Sequence, residues 1–249
     1  MPALPHPVRT VRLDLGRPDG PWAAVLAAIP LTAFDAFQPE AGHWLGSEEK
    51  AYFQCLTHRR RQESFLLGRL AAKFAVSELV PTGAPAAIEI RRGVFDQPLV
   101  RGPGCAGCSV SISHDETWAV ALAFQEAHPM AIDVETVTAG RILTIESQLL
   151  PQELGWAAAG PDREAICTLL WTAKEALSKV LGCGLTAPMR LLSLKEFGAV
   201  GPARWRGLFE NFTQYQALGT ASGRTVFSLV LPRNSVLQSP EVLSGFFSP

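Results

Sequence analysis

The sequence is short of cysteine, of net charge and of long apolar runs, and each shortage excludes a class of protein. Its 5 cysteines in 249 residues are scattered, which argues against a secreted disulfide framework. The net charge of −1 gives no general attraction to nucleic acid or to a membrane surface. The apolar run from Trp22 to Leu31 is too short to span a bilayer. We therefore expect a cytoplasmic globular protein with no membrane segment.

Two of the cysteines, Cys105 and Cys108, form a single Cys-x-x-Cys pattern without a second pair. A structural zinc ion needs two further ligands, and His114 is the only close candidate. We therefore expect loop thiols here and no zinc site.

The stretch Met130–Glu135 alternates apolar and polar residues with a period of two, which predicts a β-strand. Ile132 and Val134 would face a core, while Asp133 and Glu135 would project from the other face, about 6–7 Å apart along the chain. Two carboxylates on one face repel each other unless water or a cation screens them. A solvated strand face and a site for a hard divalent cation both fit this pattern.

A second stretch, from Leu169 to Leu181, carries apolar residues at helical spacing. Trp171, Glu175 and Lys179 are four residues apart and share the opposite face of this predicted helix. Glu175 and Lys179 form either a plain surface ion pair or the third carboxylate and a cation of one site with the strand.

These stretches resemble the two signatures of the 4'-phosphopantetheinyl transferases. Ala131–Glu135 is similar to (Val/Ile)-Gly-(Ile/Val)-Asp-(Ile/Val)-Glu, and Trp171–Lys179 is similar to Trp-x-x-Lys-Glu-(Ser/Ala)-x-x-Lys. Upstream, Ser111–His114 resembles the family's Ile-Ser-His segment, and Gly68–Lys73 resembles its Gly-Arg helix. The chain length matches the two-lobed, monomeric type that activates peptide and polyketide synthetases.

The resemblance implies an α/β (α+β) fold of two similar lobes related by pseudo-twofold symmetry, with the active site in the cleft between them. We expect an N-terminal lobe over residues 1–128 and a C-terminal lobe over residues 129–249 that carries the metal-site motifs. The implied reaction transfers 4'-phosphopantetheine from the co-substrate coenzyme A to a serine of an acyl or peptidyl carrier protein and releases 3',5'-adenosine bisphosphate. The implied cofactor is Mg²⁺, with Mn²⁺ as an alternative. The implied partner presents an acidic helix beside the modified serine, and neither nucleic acid nor a membrane is involved.

The resemblance also implies a role for individual residues. The metal ligands are Asp133, Glu135 and Glu175, and the catalytic residues are Glu175, Lys179 and Asp133. The residues that bind coenzyme A are Arg69, Arg92, Ser113, His114, Lys174 and Lys179, and for Lys174 a neighbouring carboxylate is the alternative contact. The proton of the carrier serine passes to Glu175 either directly or through metal-bound water, and both routes stay open.

One loop departs from the family pattern. Asp96 and Gln97 stand where the family has Gly and Lys before Pro98, which removes one expected phosphate contact. Arg92 is the nearest replacement.

Two other functions remain as alternatives. A metal-dependent phosphohydrolase would use the same three carboxylates, although two-metal sites of that kind usually contain more clustered acids. A non-catalytic module would bind coenzyme A or a carrier protein without turnover.

The first half of the chain otherwise predicts a strand over Val11–Leu15, a short helix over Trp22–Ile29 that Pro30 ends, and a helix that begins at Ser47. We expect this helix to break near Thr57 and to resume through Leu79. In the second part Arg61, Arg69 and Lys73 are spaced to reach solvent or a ligand, and Pro81 and Gly83 stop the helix.

Further along, alternation predicts a strand over Ile88–Arg91 and a hairpin over residues 109–113 and 118–124. The stretch Leu149–Ala159 is predicted as a helix or a loop. Two more strands are predicted over residues 193–197 and 225–231.

Overall fold

The chain divides into two units that each combine helices with antiparallel strands, which confirms the predicted mixture of the two. The first unit comprises Met1–Leu15 and Pro21–His128, and the second comprises Gly16–Gly20 and Pro129–Pro249. The structure, a computed structural model, describes residues 8–80 and 84–247, without the side chain of residue 185. The predicted pseudo-twofold relation of the two lobes stays a prediction.

The first unit contains six strands and four α-helices within the described residues. Its strands are β1 (Arg9–Arg17), β2 (Gly20–Pro30), β3 (Glu89–Arg92), β4 (Pro98–Arg101), β5 (Cys108–His114) and β6 (Trp118–Gln125), although the last two residues of β1 and the first residue of β2 are counted in the second unit. Its helices are α1 (Phe34–Phe37), α2 (Ala41–Trp44), α3 (Ser47–Gln54) and α4 (Arg59–Leu79).

The long helix α4 packs against β6 and β5 and forms the core of the first unit with them. Strands β1, β2, β6 and β5 are neighbours in that order, and β3 pairs with β4 in a separate hairpin. A Cβ atom added at Gly68 of α4 would lie 3.1 Å from Cγ2 of Ile112 on β5. Glycine at this position therefore allows the helix to approach the sheet closely, at a cost of about 1 kcal/mol in helix propensity.

The helix predicted over Trp22–Ile29 is wrong, because this stretch lies within strand β2. Val25–Ile29 is buried on both faces of the strand, at 0–1% exposure. A strand that is buried on both faces is a continuous apolar run without the alternation that identifies a strand. The Ala-rich sequence therefore did not distinguish a helix from a strand.

The predicted break near Thr57 is confirmed, since α3 ends at Gln54 and α4 begins at Arg59. The prediction that Lys73 reaches solvent or a ligand is wrong, because its side chain is 0% exposed and forms an ion pair with Glu49. Pro81 and Gly83, which we predicted to stop α4, lie outside the described residues.

From Pro129 onward, the described residues of the second unit form one strand, three helices, five further strands and a last short helix. Its helices are α5 (Ala139–Glu146), α6 (Pro151–Ala159), α7 (Arg163–Val180) and α8 (Glu241–Phe246). Its strands are β7 (Ala131–Thr136), β8 (Leu194–Gly201), β9 (Arg204–Phe209), β10 (Tyr215–Ser222), β11 (Thr225–Pro232) and β12 (Val236–Leu237). The stretch predicted as a helix or a loop over Leu149–Ala159 is a helix.

The five-stranded sheet of the second unit has the order β7-β11-β10-β9-β8. Helix α7 packs against β7, β11 and β10, and α5 and α6 pack against α7. The apolar side of α7 that the sequence predicted is buried, as Leu169, Ala173 and Leu177 show with 0–3% exposure. The opposite side of α7 therefore carries the polar residues of the site.

The five cysteines are free thiols in different surroundings. Cys105, Cys108 and Cys167 are buried, and burial raises the pKa of Cys108 to about 12 and that of Cys167 to about 11. Cys55 is exposed at the end of α3. Among residues 8–80 and 84–247, no helix combines the length and the apolar character that a membrane span requires.

Candidate active site

Strand β7 presents Asp133 and Glu135 on one face, as the alternation predicted. Ile132 and Val134 on the other face are 0% and 1% exposed, which places them in the core. Asp133 is itself only 3% exposed, and its strand pairs with β11 so that Ser228 lies opposite Asp133. The interpretation as a solvated strand face is therefore wrong for Asp133. A buried carboxylate requires compensation by hydrogen bonds or opposite charge.

Helix α7 brings the third carboxylate to this face. The helix begins at the N-cap Asp162, whose Oδ1 accepts a hydrogen bond from the backbone N–H of Ala165 at 3.0 Å. Glu175 then lies where carboxylate oxygens of Asp133, Glu135 and Glu175, one from each residue, all lie within 4.8 Å of one another. The structure thus brings together the three acids that the sequence predicted as metal ligands.

Two cationic side chains contact this cluster of three acids. Lys179 donates from Nζ to Oδ1 of Asp133 at 2.7 Å and to the backbone oxygen of Ile132 at 3.1 Å. Arg141, near the start of α5, donates from Nη1 to Oε2 of Glu135 at 2.5 Å. Lys179 is therefore in the cluster as predicted, whereas sequence reasoning missed Arg141. Its sequence signal is modest: a basic residue six positions after Glu135, on the next helix.

The electrostatics of the cluster act most strongly on Glu175. Burial, followed by the negative charge of Asp133, raises the pKa of Glu175 to about 8, and the nearby Lys179 opposes the shift. A proton on Glu175 is stabilised further by its hydrogen bond to Asp133. At neutral pH the cluster without a cation therefore retains a proton that three separate carboxylates in water would lose.

The ligand atoms fit a hard divalent cation. Carboxylate oxygens are the protein ligands that Mg²⁺ prefers, and Mg²⁺ commonly uses one or two of them together with substrate phosphates and water. The three acids each offer one such oxygen. The cluster contains no cysteine or histidine, which zinc sites usually use.

Lys174 does not join the cluster, although it precedes Glu175 in the chain. Its Nζ donates to Oε2 of Glu153 at 2.6 Å, and both side chains are 0% exposed. Burial lowers the pKa of Lys174, and the carboxylate of Glu153 opposes that shift. A completely buried ammonium group with its own carboxylate is not available to a nucleotide, so the geometry does not support the predicted contact of Lys174 with coenzyme A. The structure assigns Lys174 to the interior of the unit.

In the first unit, two of the predicted coenzyme A residues share a cavity of about 440 Å³. Arg69 and His114 both line it, together with Arg61, Ser64 and Tyr52. The guanidinium of Arg69 lies 4.7 Å from the ring centroid of Phe65, and burial lowers the pKa of Arg69. This cavity combines cationic, hydroxyl and aromatic side chains, as a site for an anion with an attached ring would, and Asp96 adds one carboxylate to its lining.

The other two predicted residues of the first unit lie outside the lining of this cavity. Arg92 and Arg69 both line a second pocket of about 220 Å³. The Nη2 atom of Arg92 contacts Oδ1 of Asp96 at 2.5 Å. Ser113 is 6% exposed on β5, next to His114. Asp96 thus neutralises the residue that we named as the replacement for the missing lysine of the loop.

Part of the second half of the chain is similar to a known protein family. Residues 129–221 match the family model of the 4'-phosphopantetheinyl transferase superfamily. This match contains the strand and the helix that hold the acid cluster, and it confirms the resemblance at the two signatures, Ala131–Glu135 and Trp171–Lys179. No curated protein matches the chain.

Among solved structures, the chain is similar to a holo-(acyl-carrier-protein) synthase from Bacillus anthracis, solved in complex with CoA (3',5'-ADP). The two share 21% sequence identity with a TM-score of 0.38. The similarity covers 46% of this chain and 97% of the synthase.

Proposed function

We propose that this 4'-phosphopantetheinyl transferase moves the phosphopantetheine arm of coenzyme A to a serine hydroxyl of an acyl or peptidyl carrier protein and releases 3',5'-adenosine bisphosphate. The observation that carries the proposal is the acid cluster of Asp133, Glu135 and Glu175 with Lys179, inside the part of the chain that matches the family. Transfer of a phosphate-linked group depends mainly on alignment of the reacting oxygens and on neutralisation of charge. The cluster and its lysine supply groups for both tasks.

Each residue of the cluster has a role in this proposal. Asp133, Glu135 and Glu175 would hold Mg²⁺ or Mn²⁺, which supplies positive charge to the pyrophosphate of coenzyme A. Lys179 binds a pyrophosphate oxygen and stabilises the negative charge that develops there. Glu175 accepts the proton of the carrier serine, since a cation held by the three acids would favour the ionised form of its carboxyl group, which is the form that a base requires.

Coenzyme A binding is proposed for residues of the first unit. Arg69 and His114 bind the phosphate groups at the nucleotide end of coenzyme A, with Ser113 and Arg92 nearby. The support is their shared cavity and the local positive charge in a chain whose net charge is −1. Lys174 is not included, because its ammonium is buried.

The partner in this proposal is a carrier protein with an acidic helix beside its modified serine, and the transferase acts as a monomer in the cytoplasm. The candidate surface for an acidic partner is Arg59–Arg61 at the start of α4. Arg59 already pairs with Asp35 at 2.9 Å and with Glu63 at 2.7 Å. Arg60 also lies 3.9 Å from Glu116, at the limit of an ion pair, so Arg61 carries more of the positive charge that a partner would meet.

The experiment is intact-protein mass spectrometry of apo carrier proteins incubated with this protein, coenzyme A and Mg²⁺. A mass gain of one phosphopantetheine group, abolished by a chelator and by Glu175→Gln, supports the transfer. The matched control is Glu196→Gln, which neutralises an exposed glutamate of the same unit and should retain activity. Breakdown of coenzyme A without carrier modification would favour the phosphohydrolase. Binding of coenzyme A with no reaction for any carrier would favour the non-catalytic module.

A further inference from the structure

A buried ion pair joins four segments of the second unit. Lys174 on α7 donates to Oε2 of Glu153 at 2.6 Å and to the backbone oxygen of Gln148 at 3.2 Å. The carboxylate of Glu153 also accepts from the backbone N–H of Leu150 at 2.8 Å and of Leu194 at 3.0 Å. The pair therefore links α7 to the start of α6, to the connection before it and to the first residue of β8.

The first unit contains the same arrangement, atom for atom. Lys73 on α4 donates to Oε2 of Glu49 at 2.6 Å and to the backbone oxygen of Trp44 at 2.7 Å. Glu49 accepts from the backbone N–H of Gly46 at 2.8 Å and of Ile90 at 3.2 Å. In each unit the glutamate is the third residue of a helix and bonds the N–H of the N-cap. In each unit a lysine of the long helix completes the arrangement.

The ion pair occurs in both units, whereas the acid cluster lies in the second unit, so the pair does not depend on the cluster. In α4 the residue after Lys73 is Phe74, whereas in α7 the residue after Lys174 is Glu175. The same pair thus occurs once beside an apolar residue and once beside a carboxylate of the cluster. Its common effect in both units is to fix a long helix against neighbouring backbone.

Stability alone does not account for a charged pair in such a place. Removing two charges from water is costly, and well-packed apolar residues in place of a buried ion pair often give equal or greater stability. Apolar residues cannot bond backbone groups at fixed distances and directions, as Lys174 and Glu153 bond Gln148, Leu150 and Leu194. The pair therefore defines the axial position and rotation of α7.

We propose that Lys174 and Glu153 are positioning residues that hold Glu175 in place for the divalent cation. This inference rests on the proposed function, in which the acid cluster binds that cation. Residues that orient metal ligands affect metal affinity strongly, typically by about 10–100-fold. Lys174 acts through the placement of its neighbour and does not touch coenzyme A.

The test compares Lys174→Met with Lys73→Met, which breaks the equivalent pair in the unit without the acid cluster. Circular dichroism fixes a temperature at which each variant is folded, and Mn²⁺ is then titrated by isothermal calorimetry or electron paramagnetic resonance. We expect Lys174→Met to weaken Mn²⁺ binding about tenfold or more. We expect Lys73→Met to lower the melting temperature and to change the Kd for Mn²⁺ less than about twofold, because its pair does not adjoin a ligand.

Kinetics with coenzyme A provide a second readout that a purely structural role would not change. For Lys174→Met, kcat should fall with the metal affinity while the KM for coenzyme A stays within about twofold, since Lys174 does not contact the nucleotide. A rise in KM at unchanged Mn²⁺ affinity would overturn the proposal and restore Lys174 to coenzyme A binding.

The remaining outcomes also decide between the two proposals. If wild type fails to bind Mn²⁺, the metal site and its positioning both fall. If wild type binds Mn²⁺ and Lys174→Met binds it equally well, the positioning proposal falls while the proposed function stands. If Lys174→Met does not fold, Glu153→Leu with Lys174→Met removes both charges and restores a folded protein. Wild-type Mn²⁺ affinity in that double variant would overturn the proposal.

Discussion

Neutralising Glu175 should change the pH dependence of stability in a direction that the cluster defines. Burial and the charge of Asp133 raise the pKa of Glu175 from 4.5 to about 8. The folded chain therefore retains a proton between these pH values that the unfolded chain releases, and the resulting stabilisation is complete below pH 4.5. It decreases as pH rises and is lost above about pH 8. Glu175→Gln removes this decrease, because an amide does not ionise.

The magnitude follows from the size of the pKa change. One pKa unit corresponds to about 1.4 kcal/mol, so the upper bound on the loss of unfolding free energy is about 5 kcal/mol. Glu175 is partly accessible to water, which reduces the expected loss to about 2 kcal/mol. For a chain of this length, a change of that size shifts the melting temperature by roughly 4–8 °C.

The assay is thermal unfolding of wild type and Glu175→Gln in chelator from pH 5 to pH 9. The two proteins should melt at similar temperatures near pH 5, and the variant should melt at the higher temperature near pH 9. Glu196→Gln controls for the loss of one negative charge at an exposed position of the same unit. Parallel curves for wild type and Glu175→Gln across the whole range would refute the proposed electrostatics of the cluster.

Three further predictions concern single side chains. Asp133→Asn should abolish metal-dependent turnover with the fold intact by circular dichroism, and retained activity at saturating Mg²⁺ would exclude Asp133 as a ligand. Arg141→Gln removes a positive charge bonded to Glu135 and should tighten Mn²⁺ binding by roughly three- to tenfold in a calorimetric titration; Arg163→Gln, which breaks a partly exposed pair with Glu146, should leave it unchanged. Arg69→Ala should raise the KM for coenzyme A by about tenfold in steady-state kinetics, and an unchanged KM would place the nucleotide elsewhere.

The residues of the acid cluster could be predicted because each lies on an element with a clear period. Ile132 and Val134 alternate with Asp133 on β7, and the apolar stripe of α7 fixes the opposite face, where Glu175 and Lys179 lie. The sequence predicted the elements from local patterns, and the family signatures connected them. Local patterns also predicted strand β11, and they predicted a helix or a loop where α6 lies.

The missed features depend on contacts between distant parts of the chain. Strand β2 was taken for a helix because burial on both faces removes the alternation, and its alanines favour a helix. Lys73 was expected to reach solvent or a ligand and Lys174 to bind coenzyme A, because a helical wheel does not show a buried glutamate 24 or 21 positions earlier. A weak signal was present, since a leucine precedes each glutamate by four residues and an alanine precedes each lysine.

The free thiols provide a way to observe the first unit directly. Maleimide reagents attack thiolates that solvent can reach, and the buried Cys108 and Cys167, with their raised pKa values, are poor targets near neutral pH. Cys55 is exposed, and its neighbour Leu56 lines the same cavity as Arg69. A fluorophore attached at Cys55 would therefore lie at the edge of that cavity. Its emission would test the proposed binding of the nucleotide in that cavity without a carrier protein or turnover.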